Sequence, residues 1–522
     1  MRFSLSAIHR GCWLSRGTAP RAFRPAHWFS TIARGWDALS VLLMRIPVSL
    51  RLAWISVGVI TAAISLRADP VDEVIAKEMA KHHIPGLSLA IIQDGKIVKA
   101  QGYGVIEAGR PERVTVDTLF QAGSVSKSVT ALGVLSLVES GKLSLDADVN
   151  GALKSWHVPE NEFTKVEKVT LRRLLSHSAG LTVHGFPGYA VDAATPSLVQ
   201  VLNGEPPANT PAIRVDFMPG SQWRYSGGGY TIMQQLVIDT TGQTFPEFMR
   251  QAVLKPLLMD ASGFDQPLPA ARAALTATGH LGGGKVVPGR WHIYPEMAAA
   301  GLWTTASDLA RFAIALQESL AGRAHPVISP AMTQVMLTPQ KQDDGLGVFL
   351  AGKEKGLRFW HNGRDEGFDA LMTAYVHSGQ GAVVMINKNE DSSAVPRIMS
   401  AIAAAYGWPD YPVYHPPKPI ADKEPEVTAT VKTIFAEAQQ GRYDASLYTP
   451  ELGAIIAKGV PGTFTQQLQA FGKLQAIELT GHRTPKDARI YRYRLTYENE
   501  TVTVDCVYNA AGQIAGLRFS PE

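Results

Sequence analysis

A serine and a lysine stand three residues apart at the start of an apolar segment. The run Gly123-Ser124-Val125-Ser126-Lys127 leads into a helix that we predict from Val125 to Ser140. On a helix, this spacing puts the hydroxyl and the amine on one face and within reach of each other. A serine is a poor nucleophile without a base, and burial favours the neutral amine, so the pair suggests an activated serine. Alone the motif is weak, because an N-cap serine beside a solvated lysine is the commoner case.

Two more short motifs follow in the chain. Tyr225-Ser226-Gly227 comes about a hundred residues after Ser124, and His361-Asn362-Gly363 follows an apolar, strand-like run. With the segment 120–130, these motifs resemble, in order, the Ser-x-x-Lys, Tyr-x-Asn and Lys-Thr-Gly elements of class C β-lactamases and their esterase, D-aminopeptidase and penicillin-binding relatives. The sequence segments around these motifs also resemble those of the family, and the resemblance covers roughly residues 70–406.

The resemblance implies a role for each element. Ser124 would attack the acyl carbonyl and become acylated, while Lys127 and Tyr225 would share proton transfer. A lysine ammonium close to a tyrosine favours the phenolate, so we expect Lys127 to ease the ionisation of Tyr225. The backbone N–H groups of Ser124 and Arg364 would form the oxyanion hole, at the end of the element His361-Asn362-Gly363. The resemblance implies no metal and no organic cofactor.

Two departures from the family pattern narrow the range of expected substrates. Gly227 replaces the asparagine of the second element, and His361 replaces the lysine of the third. A histidine is only partly charged near neutral pH, so the anchor for a substrate carboxylate is weakened. We therefore expect ester or D-aminoacyl amide substrates rather than efficient β-lactamase activity. A weak β-lactamase, and a non-catalytic sensor that keeps a penicillin-binding-like pocket, remain open as alternatives.

The elements around these motifs predict an α+β fold. A helix over 70–82 and a hairpin around Asp94-Gly95 come first, and strand-like runs return at 347–351, 357–361, 371–377 and 382–387. Strands at both ends with helices between them indicate one antiparallel sheet, closed by both ends of the domain and flanked by helices with a helical subdomain. This is the β-lactamase/transpeptidase-like arrangement, and we assign it to residues 69–408.

A second, smaller unit follows a Pro-rich segment. Residues 409–426 read as a semi-rigid linker. Beyond it, residues 427–522 show helical runs and then four strand candidates, an α+β pattern similar to cystatin-like or nuclear-transport-factor-like domains. Four tyrosines at near-alternate spacing are expected to pack one face of this sheet: Tyr491, Tyr493, Tyr497 and Tyr508. We expect an accessory role for this unit.

The first 68 residues have the composition of a leader. They contain nine Arg and one acid, and residues 52–66 form an uncharged apolar run that is too short for a membrane span. We predict a signal peptide cleaved after Ala68, with translation starting at Met44, and a periplasmic or secreted enzyme. A mitochondrial transit peptide, or membrane association through an uncleaved 52–66 segment, are the alternatives.

Net charge and motif composition argue against nucleic-acid binding and against a phosphate-binding loop. The total charge is +4 and the leader carries +8, so the body carries −4, which argues against a nucleic-acid partner. The expected partner is a small-molecule or peptide substrate. The segment 279–285 has the spacing of a phosphate loop, but Val286 supplies no hydroxyl for Mg²⁺, so we interpret it as a surface loop. His177 lies in a Leu-Leu-x-His segment to which the resemblance gives an architectural role.

Overall fold

The computed structural model describes residues 69–521 except 324–326, 390–393, 414–416, 461, 486–487 and 500. The leader, its apolar run 52–66 and Met44 therefore lie outside the described residues. Within the described part of the chain, no helix combines the length and the apolar composition needed to cross a membrane. The predictions about export, cleavage and translation start stay predictions.

The architecture is built on one six-stranded antiparallel sheet in the order β2-β1-β10-β9-β8-β7. The strands before the C-terminal region are β1 Gly86–Gln93, β2 Lys96–Gly104, β3 Phe120–Gln121, β4 Tyr189–Ala190, β5 His292–Ile293, β6 Trp303–Thr304, β7 Phe349–Ala351, β8 Arg358–Asp365, β9 Phe368–Tyr375 and β10 Gly381–Ile386. β1 pairs with β10, so strands from both ends of the domain close the sheet. This confirms the predicted α+β class.

Helices lie on both faces of the sheet. They are α1 Pro70–Lys81, α2 Ser126–Glu139, α3 Glu162–Val166, α4 Leu171–Leu175, α5 Leu198–Asn203, α6 Gly227–Thr241, α7 Phe245–Met249, α8 Ala270–Ala273, α9 Met297–Ala300, α10 Ala306–Leu320, α11 Pro330–Met336 and α12 Ala394–Ala405. α1 and α12 share one apolar cluster with β1 and β10, and α2, α6 and α10 share the larger cluster on the other face. α2 is buried on nearly all sides because its sequence is almost free of charge.

One turn and one strand end show how far local sequence predicts the fold. The Asp94-Gly95 hairpin forms as predicted, with both residues at positive φ (52° and 70°), as a two-residue primed turn requires. The predicted strand 357–361 was too short, since β8 continues to Asp365 and pairs Arg364 with Asp369 of β9. The polar residues after His361 hid this extension, because they alternate between a buried and an exposed face.

The C-terminal region carries a second antiparallel sheet. Helices α13 Pro425–Ala438, α14 Pro450–Gly459 and α15 Thr463–Ala470 precede the meander β11 Leu474–Arg483, β12 Ala488–Tyr497, β13 Thr501–Asn509 and β14 Ile514–Pro521. The predicted helices-then-meander pattern is confirmed. Its apolar cluster is separate from those of the first sheet, and it contains the four tyrosines that were expected to pack together.

We predict that a chain ending at Val413 folds without the C-terminal region. Among the described residues, the two apolar clusters of the first sheet contain no residue beyond Tyr411. The thermal midpoint should therefore move by no more than about 4 °C, as measured by calorimetry. A chain ending at Tyr406 is the matched control. It loses Trp408, which is 7% exposed and packs edge-on to Tyr375, and it should be destabilised by about 3 kcal/mol or more. A Val413 chain that does not fold would contradict this separation.

Candidate active site

Ser124 lies in a single turn that joins β3 to α2. Residues Gly123–Val125 form a 3₁₀ turn, and Gly123 has a φ of +51°, a conformation that glycine adopts without strain. The turn runs directly into α2, so Lys127 stands one helical turn after Ser124. Its Nζ lies 2.8 Å from the Ser124 Oγ. The structure thus brings together the pair that the spacing predicted.

Lys127 is held in an apolar interior. It is 2% exposed, and its Nζ also donates to the Ala299 carbonyl oxygen at 2.8 Å. No carboxylate in the described part of the chain lies within ion-pair distance of this amine. Burial lowers the pKa of Lys127 to about 7, although the nearby Asp365 opposes the shift. Near neutral pH the amine is therefore available as a base.

Tyr225 is positioned by the start of α6. Ser226 caps this helix, its Oγ accepting from the Gly229 N–H at 3.2 Å. The Ser226 N–H donates to Nδ1 of the buried His177 at 3.2 Å, and the His177 ring packs on Tyr225 with centroids 4.2 Å apart. His177 therefore has the architectural position that the sequence suggested.

The pKa of Tyr225 is raised, and the expectation that Lys127 eases its ionisation is wrong for this structure. The Lys127 Nζ lies 5.1 Å from the ring centroid of Tyr225. Desolvation of the buried phenol is the largest effect on its pKa, while the nearby Ser124 hydroxyl opposes it. Because both groups lose water, Lys127 tends to neutrality and Tyr225 keeps its proton.

The third element lies on β8, whose residues alternate between two faces. Asn362, Gly363 and Arg364 line the cavity above Ser124, whereas the His361 side chain does not. His361 is 2% exposed, with its ring 5.0 Å from that of Phe349. Burial lowers its pKa to about 3. The expected partial charge is therefore absent at neutral pH, since the interior disfavours the imidazolium.

Two backbone segments meet at the predicted oxyanion hole. A Cβ on Gly363 would lie 1.9 Å from the Ala122 carbonyl oxygen and 2.8 Å from the Ser124 nitrogen. A Cβ on Gly123 would lie 2.4 Å from the Arg364 nitrogen. The two amides named from the resemblance, those of Ser124 and Arg364, thus belong to segments in direct contact. Only glycine permits this approach.

Gly227 sits at the first position of α6, outside the cavity wall. A Cβ there would lie 3.0 Å from Cε2 of Phe186 and 3.1 Å from the His184 carbonyl oxygen. The Phe186 ring therefore fills the space beside this position, where the family pattern has an asparagine side chain. A side chain at position 227 would therefore press on this ring.

A cavity of about 810 Å³ opens over these groups. Six of the predicted site residues line it: Ser124, Lys127, Tyr225, Asn362, Gly363 and Arg364. The sequence analysis did not predict the other residues of the wall. Six of these are large aromatic or acidic residues: Phe186, Trp223, Phe349, Trp360, Asp343 and Asp344.

Buried acids behind the cavity were also missed. Asp365 is 3% exposed and Glu296 is fully buried, and among the described residues no hydrogen bond of ordinary geometry reaches either carboxyl. Weaker backbone contacts, with Gly123 for Asp365 and with its own backbone for Glu296, oppose the rise in their pKa values only in part. Burial raises the pKa of Glu296 to about 8 and that of Asp365 well above its usual range. For Asp365 a signal existed, since alternation along β8 puts it on the same buried face as His361 and Gly363. For Glu296, no local pattern announced burial.

The family model for beta-lactamase matches residues 71–406, which is more than half of the chain. The chain belongs to the beta-lactamase family. This is a family of serine acyl-enzyme hydrolases that act on small-molecule or peptide substrates. All three motifs of the site lie within the matched residues.

Curated relatives agree with this assignment. Penicillin-binding protein 4 of Amycolatopsis lactamdurans is 30% identical over 260 residues, which are 49% of this chain and 66% of that protein. Protein flp of Staphylococcus aureus is 25% identical over 342 residues, which are 63% of this chain and 64% of that protein. The chain thus spans just under two thirds of the length of these relatives.

Solved structures share the fold of this beta-lactamase family member. An octameric penicillin-binding protein homologue from Pyrococcus abyssi matches with a TM-score of 0.56 and 21% identity, covering 87% of this chain and 98% of its own. A D-alanine carboxypeptidase from Burkholderia cenocepacia matches with a TM-score of 0.52 and 23% identity, covering 65% of this chain and 98% of its own. A class C beta-lactamase mutant matches with a TM-score of 0.53 and 22% identity, covering 65% of this chain and 96% of its own.

We predict that Gly227→Asn is destabilising because of Phe186. The larger side chain must displace the ring, at a cost of about 1–3 kcal/mol in the free energy of unfolding, as measured by denaturant titration. In a Phe186→Ala background the same substitution should cost clearly less, since the ring is no longer there to displace. Equal costs in the two backgrounds would show that Phe186 does not exclude the asparagine.

Proposed function

We propose that this chain is an exported serine hydrolase that forms an acyl-enzyme on Ser124. The observation that carries the proposal is the 2.8 Å contact between the Lys127 Nζ and the Ser124 Oγ, in an interior where no described residue forms an ion pair with the amine. A neutral amine at this distance can accept the hydroxyl proton. A solvated or salt-bridged lysine would stay protonated and could not.

The proposed reaction has two stages. The Ser124 oxygen attacks the substrate carbonyl carbon while its proton passes to Lys127. The carbonyl oxygen becomes an oxyanion, which the amides of Ser124 and Arg364 stabilise. The carbon–heteroatom bond then breaks, and the leaving alcohol or amine takes a proton from Tyr225, whose raised pKa keeps it a donor and to which Lys127 passes on the proton of Ser124. In the second stage water attacks the acyl carbon, the ester bond to Ser124 breaks, one water proton returns to the Ser124 oxygen, and the carboxylic acid leaves. General-base help of this kind is worth about 10²–10⁴ in rate.

The polar groups of the cavity favour ester or D-aminoacyl amide substrates over β-lactams. The position of the family lysine holds a buried, neutral His361, so it offers no charge to a substrate carboxylate. Gly227 has no side-chain amide to donate to a substrate. Arg364 does line the cavity, but its guanidinium holds both oxygens of Asp369 at 2.6 Å. A carboxylate anchor like that of the β-lactamases therefore lacks its usual groups.

A non-catalytic sensor is the second candidate, and the departures from the family pattern at Gly227 and His361 favour it. A binder has no need, however, of a buried lysine next to a serine and a tyrosine. Export is proposed because residues 52–66 form the apolar core of a signal peptide, with periplasmic or secreted localisation and with membrane anchoring as the alternative. The division into 69–408, 409–426 and 427–522, with an accessory role for the last part, belongs to the proposal as well.

We predict that a fluorophosphonate probe adds once to residues 69–522, as seen by intact-mass spectrometry, and that Ser124→Ala abolishes the adduct. Ser128→Ala is the matched control, because this hydroxyl lies one turn along α2 and donates to the Gly347 carbonyl oxygen. It should keep the adduct, and an ester and D-aminoacyl amide panel should then show turnover. No adduct on the folded parent would support the sensor, and an adduct on Ser124→Ala would mean another nucleophile.

A further inference from the structure

Asp344 is a buried acid in the wall of the active-site cavity that the proposed reaction does not use. It is 2% exposed, and its Oδ2 accepts a hydrogen bond from the Trp223 Nε1–H at 2.8 Å. Its neighbour Asp343 lines the same cavity but is exposed to solvent. Two adjacent carboxylates of opposite burial thus face one substrate space.

The wall near Asp344 is aromatic. The Phe349 ring centroid lies 6.5 Å from that of Trp223, 6.2 Å from Tyr225 and 4.9 Å from Trp360. Aromatic faces attract cations through their negative π-surface, and most strongly where water is excluded. A carboxylate set among such rings is the arrangement that suits an ammonium group.

No described residue supplies a cation to Asp344. No ion pair joins Asp344 to any residue in the described ranges, and burial raises its pKa to about 7. Of the basic side chains in the wall, Lys127 and His184 are both driven towards the neutral form by burial, which lowers their pKa values, and Arg364 holds Asp369. A buried carboxylate without a counter-charge is costly, so a ligand that brings a positive charge would gain from neutralising it.

We propose that Asp344 and the aromatic rings beside it form a subsite for a cationic group, so that the enzyme selects esters or amides that carry an ammonium. The proposal rests on the proposed function and names its substrate class. Asp344 acts here as a specificity residue, by a charge contact with a part of the substrate remote from the reacting carbonyl. The subsite accepts the cation by charge and ring contact, so primary and quaternary ammonium groups both fit its chemistry.

The test compares two acetate esters of nearly the same shape, acetylcholine and its uncharged analogue 3,3-dimethylbutyl acetate. The ratio of their kcat/KM values isolates the effect of the substrate's positive charge. Because both esters are measured on the same variant, a general loss of activity in that variant does not change the ratio. In the parent we expect a ratio of about 10 in favour of the cation. Asp344→Asn should bring the ratio close to 1, whereas Asp343→Asn, whose carboxylate is solvated, should keep it within about twofold of the parent.

A parent ratio of 1 or less, or an unchanged ratio in Asp344→Asn, would overturn the subsite. The labelling of Ser124 by a fluorophosphonate separates this failure from failure of the proposed function. If Ser124 is labelled but neither ester is hydrolysed, choline and 3,3-dimethylbutanol are compared as protectants against labelling. Stronger protection by choline that disappears in Asp344→Asn supports the subsite, and equal protection contradicts it. If Ser124 is not labelled, the proposed function has failed, and the binding of choline and of 3,3-dimethylbutanol is then compared by calorimetric titration. Tighter binding of choline that disappears in Asp344→Asn supports the subsite, and equal binding contradicts it.

Discussion

The burial of Lys127, with no ion-pair partner in the part of the chain that the structure describes, is the constraint on which the rest of the site depends. An ammonium group in this interior loses most of its hydration, and the Ser124 oxygen and the Ala299 carbonyl oxygen return only part of it. The protein reduces the cost by favouring the neutral amine. The same interior keeps His361 and Tyr225 uncharged. A single cause, desolvation, therefore sets the protonation state of three groups around one hydroxyl.

Contact between two backbone segments, rather than side chains, positions the groups predicted to bind the oxyanion. The turn at Gly123 and the strand residue Gly363 touch so closely that neither tolerates a Cβ, and this contact fixes the two amides predicted to hold an oxyanion. The position of the lysine and the position of these amides come from different parts of the chain, α2 and β8. The sheet and the central helix hold them together, since α2 packs within the large apolar cluster beside β8 and β9.

Much of this arrangement was predictable from sequence because it depends on short, ordered motifs. The Ser-x-x-Lys spacing predicted the Ser124–Lys127 contact, and apolar runs at both ends predicted the antiparallel sheet. Features that depend on distant contacts were not predictable in this way. Phe186 beside Gly227 joins a loop to a helix, and the inward face of His361 follows from a strand longer than its apolar run suggested. The burial of Asp344 and Glu296 was not predictable either, because no local pattern marks a carboxyl that folding will bury, whereas the alternation along β8 does mark Asp365.

The most direct test of the central claim is the rate of Ser124 labelling by a fluorophosphonate as a function of pH. If neutral Lys127 is the base, the rate should fall below about pH 7 and be level above it, because the amine is protonated at low pH. Asp344 ionises in the same range, so Asp344→Asn should keep the midpoint if Lys127 causes it. A midpoint near pH 10, as for a solvated lysine or a tyrosine, or a rate independent of pH from 5 to 9, would contradict the account.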